Sequence, residues 1–255
     1  MMGIQHLKEL YSKTSKHSNY QVLSSRLRDL IGTGDLSVNS RSELPRLSYI
    51  AQRVDVAGKS ICDIGGNTGF FTFELLDRGA KEALYFEGNV HHANFVREAT
   101  AELQLLDRVQ VKNQYFTFDD NSTCLEMRVD VLLLLNVLHH VGDDYGDQSM
   151  VMQRALEQIK ESLLNIRDCA KTLIFQLGFN WKGNRELPLF KNGTKREMID
   201  FIRSATAGVW NVDHIGIPTR KSGGIVYEDL SEQNIARDDS LGEFLNRPLF
   251  LLSRC

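Results

Sequence analysis

The sequence lacks the long apolar runs and the cysteine pairs that mark membrane and metal-binding proteins. Its longest apolar stretch, residues 131–135, is the length of a β-strand, whereas a bilayer span needs roughly 20 residues, so we predict no membrane partner. Four cysteines occur without a Cys-x-x-Cys pair, which predicts reduced thiols and no metal site. The N-terminus shows no signal-peptide pattern, and we expect a cytoplasmic protein.

A strong net charge is also missing. The chain has 30 basic and 33 acidic side chains, a net charge of −3, which disfavours nucleic acid as a partner. Residues 1–59, however, hold nine Lys or Arg against five Asp or Glu, a local charge of +4. This basic end is either a solvated helical surface or a docking surface for RNA, and both interpretations stay open.

The most informative segment is a glycine-rich turn between an apolar strand and a helix. Residues 60–69 read Ser-Ile-Cys-Asp-Ile-Gly-Gly-Asn-Thr-Gly and lead into an apolar stretch, Phe-Phe-Thr-Phe-Glu-Leu-Leu. Glycines let the backbone approach a ligand closely, and the helix that follows directs free N–H groups towards it. Glu87 ends a second apolar stretch 24 residues after Asp63, near the spacing that places a carboxylate on a nucleotide ribose.

This turn lacks the second glycine of the dinucleotide-binding pattern G-x-G-x-x-G. Asn67 stands at that position, and Asp63 directly before the turn would repel a pyrophosphate. A carboxylate there suits a ligand that carries a cationic amine or sulfonium. A nicotinamide dinucleotide is therefore disfavoured, and an adenosine-type cofactor with a positive charge is favoured.

The segment resembles motif I of the class I S-adenosylmethionine-dependent methyltransferases, an acid followed by G-x-G-x-G, with Asn67 as a departure at the middle glycine. The resemblance implies S-adenosyl-L-methionine as cofactor, with Asp63 on the methionine amine side and Glu87 on the ribose. The cofactor-binding residues that we predict are Asp63, Gly65, Gly66, Asn67, Gly69, Glu87, Gly88, Gln114, Tyr115 and Asn136. Many relatives have a Gly-Asp pair after strand three; Gln114 and Tyr115 stand there instead, without the acid.

Alternating strand and helix periods from residue 60 onwards predict an α/β fold. We place strands at about 60–64, 83–87, 109–111, 129–135, 172–177, 209–217 and 249–253, and helices at about 69–78 and 148–165, the latter capped by Asp147. Residues 194–197, Thr-Lys-Arg-Glu, form a capping-box pattern that begins a further helix. This is a doubly wound, mostly parallel seven-stranded sheet. We expect residues 1–58 to form an N-terminal helical cap and residues 59–255 to form the cofactor-binding domain, with a long loop at 218–247.

Histidines follow the fourth strand, where Asn136 leads into His139 and His140. The segment does not match the Asn-Pro-Pro-aromatic motif of amino methyltransferases, so a hydroxyl or carboxylate acceptor is favoured. A hydroxyl must lose its proton, and histidine can accept one near neutral pH. His139 and His140 are therefore the candidate catalytic residues, although they can equally be turn residues, and the sequence does not rank them.

Two polar clusters are candidates for the acceptor site. One is residues 13–21, with His17 and Tyr20, and the other is residues 178–185, with Trp181. Our first hypothesis is O-methylation of a small polar or sugar-like molecule, including a glycan terminus. An RNA or tRNA methyltransferase is the alternative, and a non-catalytic cofactor-binding module is a third possibility.

Overall fold

The computed structural model describes residues 2–13, 20–32, 38, 40–119 and 127–255. Three helices precede the sheet, and strands and helices then alternate. The helices are α1 Met2–Ser12, α2 Ser25–Ile31, α3 Glu43–Ala51, α4 Phe70–Asp77, α5 Val90–Glu102, α6 Ala155–Asn165 and α7 Lys195–Thr206. The strands are β1 Ser60–Ile64, β2 Glu82–Phe86, β3 Val109–Lys112, β4 Val129–Leu135, β5 Ala170–Gln176, β6 Trp210–Lys221, β7 Gly224–Asp229 and β8 Leu249–Arg254.

These strands form one mixed sheet in the order β3-β2-β1-β4-β5-β8-β6-β7. Strands β1 to β5 are parallel to one another, whereas β8 pairs antiparallel with both β5 and β6. The strand order reverses beside β1, so the turn after β1 opens at a switch point where α/β sheets bind ligands. The predicted α/β class is confirmed, and the last strand, β8, runs antiparallel to both of its neighbours.

Alternate residues of the central strand β4 face two separate cores. Leu132 and Leu134 pack with α6 and α7 on one face of the sheet, while Val131 and Leu133 pack on the other. That second core also contains apolar residues of all three N-terminal helices and of α4 and α5. The predicted N-terminal helices therefore share a hydrophobic core with one face of the sheet.

The sheet has eight strands rather than seven because part of the expected loop at 218–247 is a hairpin. Strand β6 continues to Lys221, and β7 returns antiparallel to it from Gly224. The remainder of that segment contains two short 3₁₀ helices, Asp239–Leu241 and Phe244–Asn246. The expectation of a long loop without secondary structure was wrong for this part of the chain.

Two local predictions about helices had different outcomes. Thr194 caps α7 in a reciprocal capping box with Glu197, as its sequence pattern indicated. The helix expected from about residue 148 begins at Ala155 instead, after a 3₁₀ turn at Met152–Arg154. Asp147 does not cap it; its carboxylate accepts hydrogen bonds from Ser149, which closes a local turn.

The cysteines differ from one another in their surroundings. Cys62 is a buried free thiol in β1, and Cys255 is an exposed free thiol. Cys169 is disulfide-bonded, so the expectation of reduced thiols is wrong for this residue. Among the described helices, none has both the length and the apolar character that a membrane crossing requires.

Candidate active site

A cleft of about 530 Å³ opens at the carboxyl ends of the parallel strands, a volume typical of small-molecule sites. Eleven of the predicted site residues line it: Asp63, Gly65, Gly66, Asn67, Glu87, Gly88, Gln114, Tyr115, Asn136, His139 and His140. Gly69 is outside the lining; it has a positive φ of 77° and is the N-cap of α4. The turn after β1, the segment after β4 and the loop after β5 thus share one concave surface.

The glycine turn passes directly over the side chain of Asp63. A Cβ atom added at Gly66 would lie 2.4 Å from the Tyr85 ring and 2.8 Å from the Asp63 carboxylate, so a side chain cannot be accommodated there. The Tyr85 hydroxyl, from β2, donates a hydrogen bond to the backbone carbonyl of Asn67. These contacts fix the turn against the two strands whose ends form the cleft.

Asn67 occupies a left-handed backbone conformation, with φ 55°. Asparagine is one of the few residues besides glycine that adopts this region readily, which explains how it replaces the middle glycine of the motif. Its backbone N–H donates to the Glu87 carboxylate at 2.9 Å. Glu87 also accepts from the backbone N–H of Asn89 at 2.8 Å, so its position is fixed from two sides.

The Asp63 carboxyl group is buried, with 2% of the residue exposed. Burial raises its pKa to about 6, although the hydrogen bond from the Thr72 hydroxyl and the charge of Arg46 act in the opposite direction. A carboxylate in this setting is poorly solvated. It would be stabilised by a cationic group placed in the cleft beside it.

Gly88 and Tyr115 form the adjacent part of the cleft. A Cβ at Gly88 would lie 2.3 Å from the Tyr115 ring, so the ring covers bare backbone there. Tyr115 is 51% exposed, and Gln114 lines the cleft next to it. A planar aromatic ring and an amide side chain therefore lie next to each other at this edge of the cleft.

Asn136 belongs to a chain of polar side chains beneath the cleft. Its amide oxygen accepts from Arg247 at 2.7 Å, and its amide nitrogen donates to Gln176 at 3.0 Å. Gln176 is fully buried at the end of β5 and also accepts from Arg46 at 3.2 Å. Arg247 in turn makes two charged hydrogen bonds to Glu243, at 2.6 and 3.0 Å. This network fixes the amide of Asn136 in one orientation.

The two histidines stack with ring centroids 4.3 Å apart but differ in their environments. His139 is 2% exposed, and its Nδ1 accepts a hydrogen bond from the backbone N–H of Gly178 at 3.2 Å. His140 has a side-chain exposure of 15%, and its Nδ1 lies 3.5 Å from Asp144 and 4.0 Å from Asp143.

His140, Asp143 and Asp144 also present the one cluster of possible metal-ligand atoms within the described part of the chain, all within 4.8 Å of one another. Acidic side chains beside a histidine are common without a bound ion. The imidazole and the two carboxylates are close enough to form ion pairs when the imidazole is protonated.

The clusters expected to form an acceptor site contribute in part. Asn180, Lys182 and Arg185 line the cleft. Trp181 does not; its ring is buried, and its Nε1–H donates to the Val141 carbonyl at 2.7 Å. Tyr20 lines the cleft, whereas His17 lies outside the described residues.

Several charged residues that line the cleft were not predicted from the sequence, notably Arg41, Glu43, Arg46, Glu243 and Arg247. Arg46 lies on α3 among apolar neighbours, which is the one local sequence feature that could have marked it. In the structure it is only 3% exposed. Its Nε is buried without a hydrogen-bond partner, which is unusual for a charged group. Glu243 and Arg247 belong to the segment that was expected to be a loop.

Gln21 ends the predicted polar cluster 13–21, but its structural role at the glycine turn was not predicted. Its amide oxygen accepts from the backbone N–H of Phe70 and from the Thr68 hydroxyl, at 3.0 and 3.1 Å. The Gln21 amide oxygen therefore accepts from one of the free N–H groups at the start of α4. Gly69, the N-cap residue, has no side chain that could do so. The N-terminal segment thereby holds the glycine turn from outside.

Known proteins similar to this chain include methyltransferases. No protein-family model matches the sequence. The chain is 27% identical over 194 residues to the ubiquinone biosynthesis O-methyltransferase of Pseudomonas savastanoi pv. phaseolicola, covering 73% of this chain and 76% of the relative. The protein of the same name from Pseudomonas syringae pv. syringae matches to the same extent.

A solved structure with a similar fold is the bifunctional kinase-methyltransferase WbdD, with a TM-score of 0.61 and 16% sequence identity. The match covers 97% of this chain and 46% of WbdD, so the chain spans about half the length of that protein. The chain is thus similar in sequence to O-methyltransferases and similar in fold to a methyltransferase, and both findings support a class I S-adenosylmethionine-dependent methyltransferase.

Proposed function

We propose that this methyltransferase transfers the methyl group of S-adenosylmethionine to a hydroxyl group of a small polar acceptor. The observation that carries the proposal is that the glycine turn with Asp63 and the His140–Asp144 pair line the same cleft. One provides a site for a cationic adenosyl cofactor, and the other provides a base with an orienting carboxylate. The chain's own residues fit both tasks.

Several residues of the cleft would hold the cofactor. Asp63 suits its ammonium group, because a buried carboxylate gains most from a positive neighbour. Arg46, whose buried Nε has no hydrogen-bond partner and whose charge acts on Asp63, suits the carboxylate of the methionine part. Glu87 suits the ribose hydroxyls, and Gln114 and Tyr115 suit the adenine.

His140 is the better candidate for the general base. The Nδ1 of His139 already accepts a backbone hydrogen bond, so in the neutral ring Nε2 carries the proton and no nitrogen is left to accept another. In His140 the adjacent Asp144 can orient the imidazole and stabilise the imidazolium that forms on proton uptake, as carboxylates do for catalytic histidines. His139 then supports His140 by stacking.

The sulfonium of the bound cofactor supplies an activated methyl group, and its transfer is an in-line displacement in which alignment provides much of the acceleration. In this mechanism His140 would take the proton of the acceptor hydroxyl, and the cofactor, when bound, would supply the methyl group to that oxygen by cleavage of its S–CH₃ bond and leave as S-adenosylhomocysteine. The side chains of Asn136 and Arg247, which the buried network fixes, line the same cleft and could help to align the acceptor with the cofactor.

The choice of an oxygen acceptor draws support from the relatives, which are named O-methyltransferases. An RNA methyltransferase is the alternative, because the first 59 residues carry a charge of +4. The two differ in their response to salt. Phosphate contacts release counterions, so RNA binding weakens steeply as salt rises, whereas binding of a small acceptor, which makes few charged contacts, weakens far less.

The first test is calorimetric binding of S-adenosylmethionine, S-adenosylhomocysteine and NAD to the wild type, Asp63→Ala and Glu87→Ala. We expect binding of the two adenosyl ligands with loss of affinity in both variants, and no binding of NAD. Preference for NAD would overturn the cofactor assignment.

The second test measures transfer of a labelled methyl group to a panel of catechols, hydroxybenzoates, sugars and short RNAs. His140→Gln should lower the rate by at least about 100-fold, within the usual range for loss of a general base, without changing the affinity for S-adenosylhomocysteine. Rescue of that variant at higher pH would support the role of His140 as base, and a variant rate equal to the wild-type rate would contradict it.

A chelator in the same assay should leave the wild-type rate unchanged; loss of activity would assign His140, Asp143 and Asp144 to a metal instead.

A further inference from the structure

Arg41 is held on the wall of the cleft by aromatic rings. Its guanidinium carbon lies 4.4 Å from the ring centroid of Tyr20 and 5.1 Å from that of Phe244. Cation–π contacts of this kind hold a guanidinium group in place without using its N–H donors as hydrogen bonds to oxygen. The side chain is thus positioned in the cleft with its hydrogen-bonding capacity available.

No carboxylate in the described part of the chain lies within 4.0 Å of the Arg41 guanidinium. The two nearby acids are engaged elsewhere: Glu43 pairs with Arg46 at 3.6 Å and Glu243 pairs with Arg247 at 2.6 Å. Glu43 does contact Arg41, but through the backbone N–H at 2.9 Å rather than through the side chain. Arg41 is therefore a cation of the cleft without an acidic partner among these residues.

Three guanidinium groups surround a single ring. Arg41, Arg46 and Arg247 lie 5.1, 5.3 and 5.0 Å from the centroid of Phe244. Burial lowers the pKa of Arg46, and the positive charges of Arg247 and Arg41 lower it further. Grouping of like charges around one ring is unfavourable, and an anion bound next to Arg41 would offset it.

A second cation without a nearby carboxylate lines the cleft in the loop after β5. Lys182 has a left-handed backbone, with φ 55°, a conformation that costs free energy for a residue other than glycine. Its Nζ lies 4.3 Å from the Trp181 ring, and within the described ranges no carboxylate lies within 4.0 Å of it. The next residue, Gly183, borders the His140 ring, so Lys182 belongs to the part of the cleft that holds the proposed base.

We propose that the methyl acceptor carries an oxyanion, a carboxylate or a phosphate, that Arg41 binds, with Lys182 as a second cationic contact. This inference rests on the proposed function and adds the chemical class of the acceptor. Arg46 is the buried arginine beside Asp63 and serves the cofactor carboxylate, whereas Arg41 is half-buried and remains for the acceptor. A planar guanidinium can bind either kind of oxyanion through two parallel hydrogen bonds.

The test uses the full-length protein saturated with S-adenosylhomocysteine and matched pairs of probes. Benzoate is compared with benzyl alcohol, and glucose 6-phosphate with glucose, by calorimetry. The charged member of at least one pair should bind more tightly, and its affinity should fall about tenfold or more in Arg41→Ala, as expected for loss of charged hydrogen bonds. Lys182→Ala should weaken the same probe to a smaller extent. The benzoate pair tests for recognition of a carboxylate, and the glucose 6-phosphate pair tests for recognition of a phosphate.

Two further variants keep the result specific. Arg203→Ala removes an exposed arginine on α7, changes the net charge equally and should leave binding of the probes unchanged. Arg41→Lys keeps the charge but loses the planar fork, and its affinity should lie between those of the wild type and Arg41→Ala. The affinity of Arg41→Ala for S-adenosylhomocysteine should stay within about twofold of the wild type.

Several outcomes would overturn the inference. Equal binding of charged and neutral probes would do so. An equal loss of S-adenosylhomocysteine affinity in Arg41→Ala would assign this arginine to the cofactor carboxylate. Arg41-dependent binding of a short RNA, with no binding of the small anions, would point to a macromolecular acceptor. If the wild type fails to bind S-adenosylhomocysteine at all, the proposed function fails instead, and the probes are then measured on the free protein to test the oxyanion site separately.

Discussion

At the scale of single residues, the cleft combines groups in unfavourable states that a ligand would relieve. Asp63 is a buried carboxyl group, and the buried Nε of Arg46 has no hydrogen-bond partner. Each is costly to maintain in the free protein, since buried charge is poorly solvated. Opposite charges on a zwitterionic cofactor would complement both at once.

Asp63→Asn should stabilise the fold at alkaline pH and weaken cofactor binding. The folded-state pKa of Asp63 is raised from 3.8 to about 6. The folded state therefore favours the neutral acid, and stability from this group is present at low pH and lost as pH rises through about 6. At about 1.4 kcal/mol per pKa unit the penalty at pH 8 is roughly 3 kcal/mol at most. Thermal unfolding at pH 4 and pH 8 should show a gain only at pH 8.

The same substitution removes the group that we assign to the cofactor amine, so affinity for S-adenosylmethionine should fall at pH 8. In the wild type, affinity should also weaken below about pH 6, where Asp63 becomes protonated. A variant that is more stable yet binds as tightly as the wild type would contradict the assignment of Asp63 to the cofactor.

Asn67 offers a direct test of the departure from the glycine motif. With φ 55°, Asn67→Ala should destabilise the protein by about 1–2 kcal/mol, because the left-handed region is costly for alanine. Asn67→Gly should be nearly neutral, since glycine adopts this conformation freely. Chemical denaturation of both variants decides the point, and equal stabilities would show that the backbone conformation is not what selects asparagine.

At the scale of secondary structure elements, local patterns predicted the strands next to the turn and failed for the β6–β7 hairpin. Alternation of apolar stretches and helical periods located β1 to β5 within a few residues. The hairpin also had a signal: Ser222 and Gly223 connect paired residues Lys221 and Gly224, and small turn residues of this kind are typical of two-residue hairpins. The acidic composition after Asp229 obscured it.

The packing of α3 against this hairpin depends on a residue without a side chain. A Cβ at Gly216, in β6, would lie 2.7 Å from the Tyr49 ring, which is only 2% exposed. Gly216→Ala should therefore destabilise the fold by about 1–3 kcal/mol, the usual range for an overpacked core. Gly223→Ala meets nothing within 4 Å and should be neutral in the same unfolding experiment. A neutral Gly216→Ala would mean that α3 can shift away from β6.

At the scale of the whole molecule, the sequence predicts one side of the cleft better than the other. Asp63, the glycines and Glu87 are close in sequence, so spacing revealed them. Arg46 and Gln176 are 130 residues apart, and Asn136 and Arg247 are 111 apart. No local pattern encodes such pairs, because the fold alone brings them together. The polar network beneath the cleft is built from contacts of this kind.

The N-terminal helices provide the clearest whole-molecule test, since the division into a cap of residues 1–58 and a domain of residues 59–255 remains a prediction. Leu7, Leu27 and Leu47, one from each helix, are buried in the core that also contains Phe71 and Phe73 of α4. Removal of residues 1–58 would expose that face to water. It would also remove Gln21 from the start of α4 and Arg46 from the cleft.

We therefore expect the segment 59–255 to lose cofactor binding together with cooperative unfolding. Exposed apolar surface favours partly folded states that bind hydrophobic dyes. Circular dichroism, dye fluorescence and calorimetry with S-adenosylhomocysteine measure the three consequences. Full-length Gln21→Ala is the matched control: it should weaken binding while the fold and its cooperative transition are retained. A segment that unfolds cooperatively and binds the cofactor as tightly as the full chain would show that the N-terminal helices are a separable cap, and that the glycine turn keeps its conformation without them.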